Sequence, residues 1–402
     1  MSGATVVPLP RQTAADEWRS TQAEPVGATL RTAVTSESTL SDADRAAWRE
    51  LLAFHPDSAP FVDQDWVAAW SAAFRPREAF LVRAWEGNHL VGLGALQGVI
   101  EPWAGRPAAV LQSLTSVESF RFEFLSSRGR SDVQERLFMA LCDAGRWAVI
   151  RLEYLPEDSP TIRAGLNVAA ELGWKQVLEE TLESPWRTLP RPPAAWDAGL
   201  KRKFKSNLRN RERRLENLGA VDFTVAEAGD RQEAALEAFY ALEASGWKGE
   251  RGTAIAQRTS VKAFYDGLIE RTAQKLWIPV LSVAGRPAAA QLIRVHGRTL
   301  FLLKTAYHPD FAPYAPGQLI TARLIRYGVA RGMETLDFLG QDMTWKRDWE
   351  PRLRSHYHLM LFAPSFGGRY AYWSRYGIRE VVKKIPGARR LARELRARWR
   401  RA

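Results

Sequence analysis

The feature that most constrains this fold is a succession of elements that occurs twice. Two alternating runs, AFLVRAWEG and HLVGLGALQGVI, meet at Gly87-Asn88, a dipeptide suited to a two-residue hairpin turn. AAVLQSLT supplies a third strand. A helix follows, in which Ser131 and Gln134 have capping-box spacing and Val133, Leu137 and Leu141 share one face. WAVIRLEYL then reads as a strand, SPTIRAGLNVAAELG as a helix, and 177–186 as a closing strand. The same order returns later. KLWIPVLSVAG and RPAAAQLIRVHG form a hairpin around Gly285-Arg286, and RTLFLLKTAYHP is its third strand. A helix opens at Pro316 and stops before Gly332, and METLDFLG and SHYHLMLFA complete the set. Aligning Gly87 with Gly285 and Trp147 with Met333 gives offsets of 198 and 186 residues, which agree within loop variation. A unit of hairpin, strand, loop, helix and strand, used twice, predicts a duplicated α/β domain with a mixed (α+β) sheet.

The 402 residues, 46% of them hydrophobic, suffice for two cores. Residues 1–40 lack periodicity and are read as a flexible segment. SDADRAAWRELLAF offers Ser41 as a helix cap, and DQDWVAAWSAAF sets Trp66 and Trp70 four apart on one face. The predicted organisation is therefore 1–40 flexible and 41–188 a first domain. Residues 189–219 hold the proline-rich LPRPPAAW and a long basic helix ending at Gly219. Residues 220–376 form a second domain and 377–402 a basic amphipathic tail.

Charge separates these regions. The formal net charge is +12, but KRKFKSNLRNRERR (201–214) carries +7 and residues 378–402 carry +8, so the remainder sums to −3. The body of the protein is thus not a general polyanion binder, and any nucleic-acid or membrane role belongs to the two segments. In the basic helix Phe204, Leu208 and Leu215 point inward. In the tail Leu391, Leu395 and Trp399 recur at spacing four against an arginine-rich face. That pattern predicts weak, salt-sensitive contact with anionic membrane, which deletion of 386–402 should abolish. No apolar run is long enough to span a bilayer and no leader pattern opens the chain, so the expected location is cytoplasmic, with the tail at the inner face of the membrane. Cys142, the only cysteine, excludes an internal disulfide and reads as a buried apolar residue. His308 and His358 lack metal-ligand spacing, and no metal is expected.

The dipeptide Pro316-Gly317 stands before an amphipathic run, where proline fixes φ and glycine allows close approach. Such a helix mouth, with its outward N–H groups, suits a phosphate. Around it SGWKG (245–249), LLKTAYHPDFAPYAPGQLI (302–320), LDFLGQDMTWKRDW (336–349) and FVDQDWVAAW (61–70) together resemble the CelD/BcsL-type acyltransferases. These are double-GNAT proteins similar in architecture to the Fem-type aminoacyl transferases, and the resemblance spans roughly residues 45–375. It implies two tandem GNAT-like acyltransferase domains joined by the basic helix, with the active centre in the second. By that resemblance Pro316, Gly317, Gln318 and Leu319 would bind the pyrophosphate of acetyl-CoA or another acyl-CoA, though the loop has fewer glycines than the usual superfamily pattern. The acceptor would enter between the copies: an amino sugar, a polysaccharide precursor or a peptide-like molecule. Two alternatives are Fem-like transfer from charged tRNA and a non-catalytic protein that binds a glycan or nucleic acid.

Acyl transfer from a thioester to an amine needs a base, donors for the thioester oxygen and an acid for the thiolate. Tyr307, at the end of the third strand beside the loop, is the candidate acid, or a strand-end tyrosine with a wet hydroxyl. Glu243 is the candidate base. Asp337, on a core strand, needs a partner or a role, and Lys346 either pairs with it or binds an anion. Trp247, Lys248 and Lys304 are the candidate acceptor contacts, with core packing the alternative for Trp247. Gly246 and Gly249 suggest a backbone shaped around something.

Overall fold

The computed structural model describes residues 30–35, 40–56, 58–116, 118–127 and 130–377. The tail at 378–402 and most of the segment 1–40 lie outside the described residues. The first half runs β1 (Leu30–Thr35), α1 (Asp42–Leu52), α2 (Ala59–Val62), α3 (Gln64–Phe74), β2 (Glu78–Glu86), β3 (His89–Trp103), β4 (Arg106–Ser113) and β5 (Leu125–Ser126). It closes with α4 (Ser131–Asp143), β6 (Val149–Pro156), α5 (Pro160–Glu171) and β7 (Lys175–Thr188). The basic helix α6 (Arg202–Glu216) follows. The second half runs β8 (Val221–Ala226), α7 (Asp230–Ala244), α8 (Trp247–Glu250), α9 (Thr259–Thr272), β9 (Leu276–Val283), β10 (Arg286–His296) and β11 (Thr299–Tyr307). It ends with α10 (Pro316–Ala330), β12 (Thr335–Asp337), α11 (Thr344–Arg347), β13 (Arg352–Phe362) and α12 (Phe366–Tyr372).

Local sequence explains most of these elements. Ser41 caps α1 with a full capping box to Asp44, and Asp63 caps α3 by accepting the Trp66 amide at 2.8 Å. The first hairpin turns at Gly87-Asn88, and Gly87 takes φ +58°, as this turn demands. The second hairpin turns at Ala284-Gly285, one residue earlier than the sequence suggests. In α4 the expected capping box does not form. Arg130 is the N-cap, and Gln134 is buried, donating to the Phe124 carbonyl at 2.7 Å and accepting from Thr161 at 3.0 Å. Burial wins because a solvent-facing cap is worth less than satisfying a core polar group. The first segment also needs correction, since Leu30–Thr35 pairs with β2 as the edge strand.

The strands join in a single sheet ordered β1-β2-β3-β4-β6-β13-β7-β12-β11-β10-β9-β8, with β5 beside β3. Matching each strand to its counterpart in the other half makes this order read the same from either end. The sheet therefore has a pseudo-two-fold axis between β13 and β7, which run antiparallel. Each half gives its last strand away: β7 pairs with β12 of the second half, and β13 inserts between β6 and β7. The fold is a mixed α/β duplication, as the repeat predicts. Helices α3 and α9 meet over the seam, where Trp66 and Phe264 pack edge to face with ring centres 4.9 Å apart. The buried pair of Arg294 and Asp63 crosses the same seam.

Candidate active site

In the second half, β11 and β12 run parallel from Thr299/Thr335 to Phe301/Asp337 and pair no further. Beyond that point β11 continues to Tyr307 paired only with β10, and its end faces α7 and α8. A cavity of about 260 Å³ opens there, lined by Leu242, Glu243, Gly246, Trp247, Lys248 and Glu250 on one side and by Thr305, Ala306, Tyr307, Pro309 and Ala312 on the other. Four of the residues singled out in the sequence thus converge: Glu243, Trp247, Lys248 and Tyr307.

Their environments differ. Glu243 is 5% exposed; one oxygen accepts from the Lys248 ammonium at 2.5 Å and the other from the Ile255 amide at 2.7 Å. Trp247 is 57% exposed and Tyr307 45%, so both offer ring surface to the cavity. This settles against core packing for Trp247. The Arg251 guanidinium stacks on the Trp247 ring at 5.3 Å. Gly249 is required by the end of α7, because an added Cβ would lie 1.8 Å from the Ala244 carbonyl oxygen. Its backbone is shaped around protein.

At the α10 entrance the four predicted phosphate-loop residues separate. Ala315, in the left-handed region at φ +49°, is the N-cap, and its carbonyl accepts the amides of Gln318 at 2.9 Å and Leu319 at 3.3 Å. Pro316 has no N–H, so of these residues only the Gly317 amide points outward from the helix end. Gln318 is turned inward, donating to the Trp345 carbonyl at 3.0 Å and accepting from the Trp349 indole at 2.6 Å, and Leu319 is core. Gly317 lies against the cavity wall: a Cβ there would meet Thr305 at 3.5 Å and Tyr307 at 4.0 Å. A buried chain stiffens this wall. Gln291 donates to Thr305 at 3.2 Å and to Thr321 at 2.8 Å, and the Thr321 hydroxyl donates to the Gly317 carbonyl at 2.8 Å. No sequence motif marks Gln291 or Thr321.

Asp337 and Lys346 are not partners and do not line the cavity. Asp337 is 1% exposed and pairs with Arg121 of the first half at 2.5 Å, while its other oxygen accepts the Leu339 amide at 2.9 Å. Lys346, 5% exposed, donates to the carbonyls of Leu339 at 2.5 Å and Gln341 at 2.9 Å, which ties the loop after β12 to α11. Burial pushes its ammonium down to about 8, against the pull of Asp337 and Asp342. Proximity in sequence suggested a pair. The exchanged strands bring Arg121 closer.

Lys304 is engaged rather than free, its ammonium 2.9 Å from Glu118. Glu118 belongs to the first half, is 1% exposed, and also accepts from Tyr265 at 2.9 Å with Arg258 at 3.5 Å. Burial pushes the Glu118 carboxyl up, but Lys304, Tyr265 and Arg258 outweigh it and hold the group below its ordinary range. Glu118 is invisible in sequence because its partners lie more than 130 residues away. His308 caps the turn at Pro309–Tyr314, accepting the Asp310 amide at 3.2 Å, and the His358 ring packs edge to face on Tyr154. Cys142 is buried, which pushes its thiol up to about 12.

Residues 202–347 match the acetyltransferase (GNAT) domain model. None of the curated proteins matches the chain. Among solved structures, FemX is similar with a TM-score of 0.59 at 14% identity, over 82% of this chain and 97% of that one. The L-PGS of Bacillus licheniformis has a TM-score of 0.45 at 13% identity, covering 71% and 85% of the two chains. A tandem GNAT protein from the clavulanic acid biosynthesis pathway gives 0.45 at 12% identity, covering 84% and 100%. The FemX likeness, at that identity, concerns the fold, and it extends over both halves. Residues 202–347 are thus similar to GNAT acetyltransferase domains, and the duplicated α/β fold in which they sit is similar to that of FemX.

Proposed function

We propose that the protein transfers an acyl group from an acyl-CoA, acetyl-CoA being the simplest, to an amine or hydroxyl of an acceptor held in the second-half cavity. One observation carries this reading: Glu243, Trp247, Lys248 and Tyr307, from three separate elements, line one cavity whose wall reaches Gly317 at the α10 entrance. The two exposed rings suit a flat or pyranose acceptor, such as an amino sugar, a polysaccharide precursor or a peptide-like molecule. In the reaction the acceptor nitrogen or oxygen attacks the thioester carbonyl and the C–S bond breaks. The acceptor's proton leaves through water to Glu243, and the departing thiolate takes the Tyr307 proton, which solvent restores. Lys248, fixed by Glu243, orients the acceptor.

A second reading is Fem-like transfer from a charged tRNA, with the first observation in its favour at the helix entrance. A single outward amide at Gly317 is a thin cradle for a pyrophosphate. The outer face of α6 meanwhile gathers Asn207, Asn210, Arg211, Arg213 and Arg214, with Arg214 stacked 5.2 Å from the ring of Tyr314, one residue before Ala315. Calorimetric titration with acetyl-CoA and a longer acyl-CoA, beside Gly317→Trp, separates the readings. Binding by the wild type that the variant loses supports the CoA donor. Absence of binding to both proteins removes it and directs the test to charged tRNA.

A further inference from the structure

Helix α12 runs on into a π-helical turn at Trp373–Gly377, and its inner face is fixed by Gly368. A Cβ there would lie 2.3 Å from the Ala363 carbonyl oxygen and 2.8 Å from that of Ala148, so the helix presses directly on the sheet. Ala371 and Tyr372 are buried with it, in a cluster with Trp103, Met360 and Phe362. That contact leaves Phe366, Arg369, Tyr370 and Trp373, spaced i, i+3, i+4 and i+7, along the opposite side. Phe366 is 77% exposed, the highest value for a large apolar side chain among the described residues, and Trp373 is 49% exposed. Cations surround this stripe. Arg369 is exposed on it, the Arg106 guanidinium lies 5.0 Å over the Tyr370 ring, and Arg375 stacks 5.6 Å over Trp103. Immediately after Gly377 come ten basic residues against two acidic ones.

Aromatic rings set among arginines, with a strongly positive segment following in sequence, match the chemistry of a bilayer interface, where rings sit at headgroup level and cations meet lipid phosphates. We propose that the outer face of α12 is an anchoring surface for an anionic lipid layer. Phe366 and Trp373 insert at the interface, and Arg106 and Arg369 hold the phosphates. This surface is independent of the catalytic reading, since it shares no residue with the second-half cavity. The competing occupants are a second copy of the chain and the chain's own residues 378–402.

The test is co-sedimentation of the full chain with vesicles of phosphatidylcholine alone and of phosphatidylcholine containing about 25 mol% phosphatidylglycerol. Binding to the anionic vesicles, released by high salt, is expected. Phe366→Ser with Trp373→Ser should weaken it roughly tenfold with the thermal midpoint unchanged. A chain ending at Gly377 should bind more weakly than wild type yet still lose further affinity on the double substitution. Equal binding by the double variant and wild type would overturn the proposal. So would failure of the wild type to bind, in which case light scattering reports whether the double substitution instead dissolves a dimer. A gain in vesicle binding on truncation at Gly377 would mean that residues 378–402 cover the stripe, and would also overturn it.

Discussion

His356 shows how a single buried side chain records the arrangement around it. It is 1% exposed, and its Nε2 accepts from the Nε of Arg121 at 3.2 Å, the same arginine that pairs with Asp337. Burial is the main cause that pushes its imidazole down to about 3, and Arg121 and Arg354 add to it. The folded chain therefore keeps His356 neutral where the unfolded chain protonates it, near the ordinary value of about 6.5. Between those values the unfolded state binds more protons. Stability from this group is complete above pH ~6.5 and is lost progressively as pH falls toward 3. Comparing urea midpoints at about pH 7 and 4.5 should show a smaller acid loss for His356→Gln than for wild type. Parallel losses in the two proteins would refute it. Neither His356 nor Arg121 stands out in the sequence, because the chemistry of each depends on the other across 235 residues.

Short elements decide what the cavity presents. Helix α8 has four residues and no side-chain cap, yet it carries both Trp247 and Lys248. Its position follows from Gly249 against the end of α7 and from the Lys248 carbonyl, which accepts the Thr253 amide at 2.8 Å and the Ala254 amide at 3.2 Å. Gly249→Ala should displace α8, costing about 1–3 kcal/mol, and raise amide hydrogen exchange over 246–252 while β11 keeps its protection. Unchanged exchange in that segment would show that α8 does not depend on the glycine. The sequence marked SGWKG as special and found the glycines, but left open what their backbone is shaped around. Helix α10 was also legible, from Pro316 through Gly332. What its entrance offers was not, because donation of two of its amides to Ala315 depends on the left-handed backbone at that residue.

At the scale of the molecule, the exchange of β7 and β13 makes the halves interdependent. A segment cut to the GNAT match at 202–347 lacks β13, lacks the β7 neighbour of β12, and lacks Glu118 and Arg121. It would expose the edge of β12 and leave Asp337 buried without its guanidinium partner. The full chain is expected to unfold in one cooperative transition, by far-UV and near-UV circular dichroism alike, and the isolated 202–347 segment to lack a near-UV signal. Two resolved transitions, or a folded segment, would show the halves to be autonomous. The seam contact of Trp66 with Phe264 and the Glu118–Lys304 pair point the same way.

The sequence by itself determined the repeat, the element types and the location of the cavity-bearing loop, because hairpin turns, helix caps and apolar periods are encoded within a few residues of one another. It also singled out Glu243, Trp247, Lys248 and Tyr307, which the fold brings to one cavity. The tertiary structure alone decided that β7 and β13 change places. It alone decided that Asp337 belongs to Arg121, that Lys346 and Gln318 face inward, and that Glu118 reaches Lys304. Partner choice for a buried charge depends on which distant segment arrives beside it, and local pattern holds no record of that arrival.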